Sequence, residues 1–476
     1  MKKIVLSVAC VALAVLLSLG LSGSMPTQDV EALTAKPNIV FILTDDMRKD
    51  DLKYMPKTRS VLKEKGMSFE NAFVSNALCC PARATIMRGQ YAHNTNVWTN
   101  HNTQSGGWQA YRDNGLEQDN VATRLHDAGY RTALLGKYFN GYQNTRVVPL
   151  GWDRWFAHVN GDSYYDYDIN DNGTIKHFGS SASDYNTDVI ANHAKAFIDA
   201  SANAGVPFFA YVAPKAPHGP ATPAPRDLHT HDGLKASRPP SFDEKDVSDK
   251  PPWIRQLPRL SNAKKTGIDR LHEKRAESLQ AADDLVAGVV GKLRNKGILG
   301  NTYIFFTSDN GLHEGEHRIP GGKWRPYEED VRMPLLARGP GVAAGSTTYK
   351  LALDTDYLPT FTDLAGTQTP PYVDGRSQRP VLKGDTTAWR SAILLEAARN
   401  DVFPPKSPTY RAIRTSGGTK YVEYASGNKE LYHLGRDPYE LNNRYPATTP
   451  SAGLVSRLHA LETCAADSCR AAENGQ

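Results

Sequence analysis

The sequence is poor in cysteine, carries no strong excess of either charge and shows no internal repeat. Five cysteines in 476 residues, at positions 10, 79, 80, 464 and 469, cannot staple a chain of this length, which excludes a disulfide scaffold. Lys and Arg number 56 against 51 Asp and Glu, a formal charge of +5. That balance favours an anionic partner only mildly and gives no ground for nucleic acid. With 40% hydrophobic and 22% charged residues, wholesale disorder, collagen and a multi-span membrane protein are excluded as well. What remains is a globular chain long enough for one large α/β domain with a smaller partner. Its 30 prolines and 38 glycines imply long, structured loops.

At the N-terminus, Lys2-Lys3 precede an apolar run over 4–21, after which small and polar residues lead to Ala32 and Ala35. Residues 1–35 read as a secretory signal peptide, with an uncleaved membrane anchor as the alternative for so long a run. Cleavage would remove Cys10 and leave four cysteines in a secreted or cell-surface chain with no stable membrane partner.

Asn38-Ile-Val-Phe-Ile-Leu-Thr44 is continuous, apolar and β-branched, the pattern of a fully buried parallel strand, and it ends in Asp45-Asp46. Thr302-Tyr-Ile-Phe-Phe-Thr-Ser308 has the same character and ends in Asp309-Asn310. Pro207-Phe-Phe-Ala-Tyr-Val-Ala213 leads to His218, and Arg131-Thr-Ala-Leu-Leu-Gly136 leads to Lys137. Helical patterns over 120–128, 188–200 and 271–293 lie between them. Alternating strands and helices predict a doubly wound α/β sheet, in which ligands gather at the carboxyl ends of the strands. Residues 36–385 form this domain. From 386 to 476 the style changes to short runs separated by glycine turns, predicting a small antiparallel C-terminal subdomain. Residues 220–265 read as a surface excursion. The eight basic residues between Lys250 and Arg275 read as a solvated face or as a rim for a polyanion.

Three groups carry chemistry. In Cys79-Cys80-Pro81-Ala82-Arg83, Pro81 suits the first turn of a helix that Gly89 ends, so the cysteines sit where free N–H groups favour an anion. Alone, this is equally a buried pair that merely packs, or a nucleophile. Asp45, Asp46, Asp309 and Asn310 offer a hard, oxygen-rich set suited to Ca²⁺ or Mg²⁺. Lys137, His218, His313, His317 and Lys323 follow strands as scattered cations, each by itself a surface residue and together able to surround an anion. Substrate choice is expected to lie in loops such as 91–102 and 220–265, where His93, Asn94 and His101 are candidates, each more readily read as structural.

These motifs resemble the sulfatase family of the alkaline phosphatase superfamily. Cys79-Cys80-Pro81-Ala82-Arg83 matches its Cys-x-Pro-x-Arg signature, and Gly129-Tyr130-Arg131-Thr132-Ala-Leu-Leu-Gly136-Lys137 matches its second. Thr44-Asp45-Asp46 and Ser308-Asp309-Asn310-Gly311 match its metal motifs, and Glu430-Leu-Tyr-His-Leu with Asp437-Pro438 is typical of its C-terminal part. Gly136-Lys137-Tyr138-Phe139-Asn140, Pro149-Leu-Gly-Trp152 and Ala216-Pro-His-Gly-Pro220 look most like the N-acetylglucosamine-6-sulfatases. The resemblance implies an alkaline-phosphatase-like large mixed sheet flanked by helices, and hydrolysis of sulfate esters on a sulfated carbohydrate. It implies a formylglycine made from Cys79 by a formylglycine-generating enzyme that reads Cys79, Pro81 and Arg83, leaving Cys80 unmodified. Asp45, Asp46, Cys79, Asp309 and Asn310 would hold Ca²⁺, with Mg²⁺ the second choice. Arg83, Lys137, His218 and Lys323 would be catalytic, and Asn140 and His313 would touch substrate.

Two positions depart from the pattern: Ala82 replaces the usual serine, and Phe139 stands where many members carry a histidine. The rival readings are a formylglycine-dependent phosphonate monoester or phosphodiester hydrolase, and a non-catalytic binding protein for sulfated glycans. Cys464 and Cys469 form a candidate local disulfide in an exported chain.

Overall fold

The computed structural model describes residues 36–160, 163–385, 387–398 and 409–475. The signal-peptide reading and Cys10 lie outside the described residues. Ten strands form one mixed sheet: β1 (Asn38–Thr44), β2 (Met67–Phe69), β3 (Arg131–Gly136), β4 (Arg154–Asn160), β5 (Tyr167–Asp171), β6 (Thr174–Phe178), β7 (Phe208–Ala213), β8 (Thr302–Ser308), β9 (Leu335–Arg338) and β10 (Ser346–Thr348). Their spatial order is β10-β2-β9-β8-β1-β7-β3-β4-β5-β6. The central run from β8 to β4 is parallel, and β9, β5 and β6 pair antiparallel with their inner neighbours.

The alternation of side chains along β1 explains why the whole strand is apolar. Ile39, Phe41 and Leu43 enter one core cluster, and Val40 and Ile42 enter the other. Both faces of the sheet are therefore covered, as a parallel sheet requires. Each such side chain contributes about 1.5–3 kcal/mol by burial. On the second face, Leu279, Leu285, Val286, Val289, Val290 and Leu293 form the buried stripe of the Asn262–Asn295 helix, which packs beside the Asn186–Ala204 helix. The stripe predicts this helix from 271. It begins earlier because Ser261 caps it, its side chain accepting the Lys264 N–H, and the polar first turns carry no periodic apolar signal.

The C-terminal part holds a four-stranded antiparallel sheet, β11 (Ala392–Ala397), β12 (Tyr410–Thr415), β13 (Thr419–Tyr424) and β14 (Lys429–His433). Sequence reading finds the last three and misses β11. Its Ala-Ile-Leu-Leu-Glu-Ala is rich in helix formers, and only pairing with β12 makes it a strand. This sheet braces the segment after Lys323: the buried Lys420 Nζ donates to Pro326 O at 2.8 Å, and Tyr327 OH donates to Glu430 Oε1 at 2.8 Å. Cys464 and Cys469 are disulfide-bonded, while Cys79 and Cys80 are free and buried. Among the described residues no helix is long and apolar enough to cross a membrane.

Between 250 and 275 most of the basic residues are exposed, as a solvated face requires, but two depart from that reading. Lys250 is buried, 3.4 Å from Glu244 Oε1 and donating to Leu441 O at 2.6 Å. Arg275 is buried between Asp51 and Glu314. Buried carboxylates draw these cations inward, since an unpaired buried charge is too costly to keep.

Candidate active site

Four parallel strands deliver their C-terminal residues to one place. β1 and β8 run in register from Asn38 opposite Thr302 to Thr44 opposite Ser308, so Asp45-Asp46 and Asp309-Asn310 emerge side by side. The Met47 N–H donates to Ser308 Oγ at 2.9 Å, and Thr44 Oγ1 donates to Thr307 O at 3.0 Å, which ties the two turns together. Asp46 adopts φ 64°, a left-handed conformation held from both sides. Its N–H donates to Asp309 Oδ1 at 3.2 Å, and its carbonyl accepts from Arg275 Nη2 at 2.8 Å.

β3 and β7 end together, with Gly136 opposite Ala213. Gly136 has φ 116°, and a Cβ there would lie 2.1 Å from Ala213 O, so only glycine fits before Lys137. Lys137 Nζ bonds the Asp45 carboxylate.

The helix Cys79–Arg88 starts after an extended Leu78 and closes on a left-handed Gly89. Cys79 Sγ lies 3.5 Å from Asp45 Oδ1 and accepts from Lys323 Nζ at 2.9 Å. Lys323 Nζ also bonds Asp46 Oδ1. His218 Nε2 stands 3.6 Å from Asp46 Oδ2. Asp45, Asp46, Cys79 and His218 each place one ligand atom within 4.8 Å of the others. One turn along the helix, the buried Arg83 grips Asp309 Oδ2 with Nε and Nη2, both at 2.9 Å, and donates to Lys137 O at 2.9 Å. Cys80 faces elsewhere, its Sγ accepting the Asn140 N–H at 3.2 Å.

Electrostatics separate the groups. Burial pushes the Asp45 carboxyl up, but Lys137, His218, Arg83 and Lys323 together bring it well below the usual carboxylate range. Asp46 is lowered too, its burial outweighed by Lys323 and His218. Asp309 is raised, because burial and the nearby Asp45 outweigh Arg83. Burial opposes the charge of Lys323, yet Asp46, Cys79 and Asp45 hold its pKa well above normal. Burial and Asp45 push the Cys79 thiol far up, and burial lifts Cys80 to about 12. Neither thiol is a thiolate at neutral pH, so unmodified Cys79 is a poor nucleophile.

The site also fits a hard divalent cation. Asn310 Oδ1 is buried with no hydrogen-bond partner, although its Nδ2 donates to Asp46 Oδ1 at 2.6 Å. Gly311 makes that turn possible, since a Cβ would lie 2.0 Å from Glu329 O. An orphaned amide oxygen beside three buried carboxylates is the oxygen donor set such an ion takes.

A cavity of about 450 Å³ opens over these groups, lined by Asp46, His218, Lys323, Asn140, Asn100 and Trp324 among others. Asn140 thus reaches the cavity. His313 does not line it. It is fully buried behind the wall, with Nδ1 2.6 Å from Asp330 Oδ1. His93 and Asn94 serve the C-terminal part, His93 Nδ1 lying 3.0 Å from Glu396 Oε2 and Asn94 Nδ2 donating to Cys464 O at 2.9 Å. Sequence reasoning missed Asn100, whose Oδ1 accepts the Cys80 N–H at 2.8 Å, and counted Arg275 among surface cations. Only the position of Asn100 in the loop 91–102 hinted at it.

The sequence profile of the Sulfatase family matches residues 37–367, and that of the N-sulphoglucosamine sulphohydrolase C-terminal region matches 315–463. The chain belongs to the sulfatase family and is a sulfuric ester hydrolase. The N-acetylglucosamine-6-sulfatase of Homo sapiens is 34% identical over 502 residues, covering 96% of this chain and 90% of that protein. An extracellular sulfatase SULF-1 homolog of Drosophila melanogaster is 38% identical over 76% of this chain, which spans 33% of that relative's length. A solved protein in complex with its substrate D-glucosamine-2-N,6-O-disulfate superposes with TM-score 0.77 at 23% identity, over 93% of this chain and 99% of that one. The phosphonate monoester hydrolase of Agrobacterium radiobacter gives 0.68 at 20% identity, over 90% and 95%. Both likenesses establish the alkaline-phosphatase-like fold.

Proposed function

We propose that the chain removes a 6-O-sulfate from N-acetylglucosamine or a related glycosaminoglycan unit, through a formylglycine made from Cys79. The observation that carries this reading is the setting of Cys79. Its side chain sits between Lys323 and the carboxylates, where burial keeps the thiol protonated and the unmodified residue inert. The 34% identity to N-acetylglucosamine-6-sulfatase over 96% of the chain supports the sugar.

Asp45, Asp46, Asp309 and Asn310 would hold the cation, Ca²⁺ by its taste for many carboxylate oxygens, and the ion supplies fixed positive charge toward the sulfate oxygens. A hydrated formylglycine supplies one hydroxyl to attack sulfur and a second through which sulfate is released. The ammonium groups of Lys137 and Lys323 balance charge that grows on the sulfate oxygens in the transition state. Arg83 keeps Asp309 aimed at the centre through its two contacts at 2.9 Å. His218, 23% exposed at the cavity, is the group to hand a proton to the leaving sugar oxygen, with Lys323 as the alternative donor. Cys79 is 0% exposed, so a formylglycine-generating enzyme must act on it before the chain folds. With residues 1–35 as a secretory signal, the enzyme works outside the cytoplasm.

Peptide mass spectrometry across Cys79 tests the nucleophile, and an intact thiol in fully active protein overturns it. Parallel assays on 6-sulfated N-acetylglucosamine and on a phosphonate monoester test the substrate. Preference for the phosphonate would favour the activity of the solved hydrolases that share the fold.

A further inference from the structure

A second cavity, of about 510 Å³, adjoins the first and shares Leu271 and Gly322 with it. We infer that it receives the next sugar of an oligosaccharide substrate, with Lys264 binding a carboxylate or sulfate on that sugar. This rests on the sulfated-glycan reading above and adds the length and charge of the substrate to it.

The Asn262–Asn295 helix builds the track. Lys264, Ile268, Leu271 and Arg275 fall at helical spacing on one face, and Gly267 lies between the first two. Arg275 anchors the inner end of that face on the Asp46 carbonyl, at 2.8 Å. At 1.5 Å rise per residue, Lys264 stands about 16 Å along the helix from Arg275, further than one sugar ring reaches. Leu271, half-buried, provides an apolar step between the two cavities. The facing wall is Pro320-Gly321-Gly322, which continues directly into Lys323.

The charge at the outer end is uncommitted. Neighbouring Lys265 and Arg259 are both taken by Asp243, at 2.8 and 2.9 Å. Lys264 is exposed, and among the described residues no carboxylate pairs with it. Gly267 leaves the floor open, since a Cβ there would meet nothing within 4 Å. An open, glycine-floored groove that ends in a free ammonium suits a sugar ring carrying one negative group.

The test compares three substrates: 6-sulfated N-acetylglucosamine, a trisaccharide ending in it with a uronate as the next unit, and the same trisaccharide with that carboxyl reduced to an alcohol. In the unaltered enzyme, kcat/KM for the anionic trisaccharide should exceed both others by about tenfold, one well-made charged contact. Lys264→Ala should erase the advantage over the reduced trisaccharide and leave the monosaccharide rate unchanged. Gly267→Leu, which fills the floor without backbone strain, should slow both trisaccharides and spare the monosaccharide. Equal rates on all three substrates, or variants that leave the trisaccharides untouched, overturn the inference alone. Failure to turn over any of the three overturns the sulfated-glycan reading together with it.

Discussion

Lys323 Nζ donates to Cys79 Sγ at 2.9 Å while bonding the Asp46 carboxylate, so one ammonium joins the residue at the helix start to the acidic turn after β1. Burial should strip this contact of its charge, and the surrounding carboxylates more than restore it. A fixed cation at that point acts on whatever replaces the thiol and on the group it attacks.

Lys323→Met should therefore lower kcat by about 10²–10³-fold, the cost of removing one preorganised charge partner. Cys79→Ser should lose about 10³-fold or more, because a serine sulfate ester lacks the second hydroxyl that releases sulfate. Steady-state kinetics check both, with circular dichroism to verify the fold. A Cys79→Ser protein of full activity would sink the nucleophile assignment.

Removal of divalent cations with a chelator should abolish turnover and lower the melting temperature, with Ca²⁺ restoring both. At 100 times its dissociation constant, the ion should stabilise the fold by about 2.7 kcal/mol. Asp46→Asn should raise the Ca²⁺ concentration needed for half-maximal recovery. Unchanged activity after exhaustive chelation would exclude the metal role.

Arg83→Met should cost about 3–5 kcal/mol, because it leaves Asp309 buried without its guanidinium. Arg83→Lys should recover part of the stability and little of the activity, since an ammonium cannot reproduce the two contacts to one carboxylate oxygen. Thermal denaturation of the three proteins decides the point.

Asp354 predicts a pH dependence away from the active site. Its carboxyl is fully buried on the Ser75 N–H and hydroxyl, at 3.0 and 3.2 Å, and burial lifts its pKa to about 8. A raised carboxyl pKa means that the folded state holds a proton the unfolded chain would release. Its stabilising contribution is complete below the ordinary carboxylate pKa, falls as pH rises toward 8, and is flat beyond. The slope is at most about 1.4 kcal/mol per pH unit. Asp354→Asn should flatten the stability profile between pH 4 and 8 and be the more stable protein at pH 8. A parallel profile for the two proteins would refute this.

The Cys464–Cys469 disulfide closes only a short loop, with a sequence separation of 5. Chain entropy for so short a loop gives about 2 kcal/mol, so Cys464→Ser with Cys469→Ser should lower stability by that amount without touching kcat. It ties the segment just after the Ala452–Glu462 helix to the Asp467–Asn474 helix, and both cysteines lie in the C-terminal core rather than at the site.

The strands that carry the site were legible because each is buried on both faces, and such strands advertise themselves as unbroken apolar runs. The acidic pairs were legible for the same reason: polar residues directly after such a run stand at the strand ends. β11 was not, because its residues favour a helix and a strand partner overrides them. Lys250 and Arg275 looked like surface charge, since nothing local reveals a carboxylate that lies far along the chain.

By itself the sequence determined the strand ends, the two acidic pairs, the cysteine at a helix start and the family motifs, because each depends on neighbours within a few residues. Tertiary structure alone decided that Asn100 caps Cys80, that Arg275 holds Asp46, that His313 stands behind the wall, and that a second cavity leads to Lys264. Those relations join residues 17 to more than 200 positions apart, and their energies come from burial and pairing that exist only once the sheet has brought the loops together.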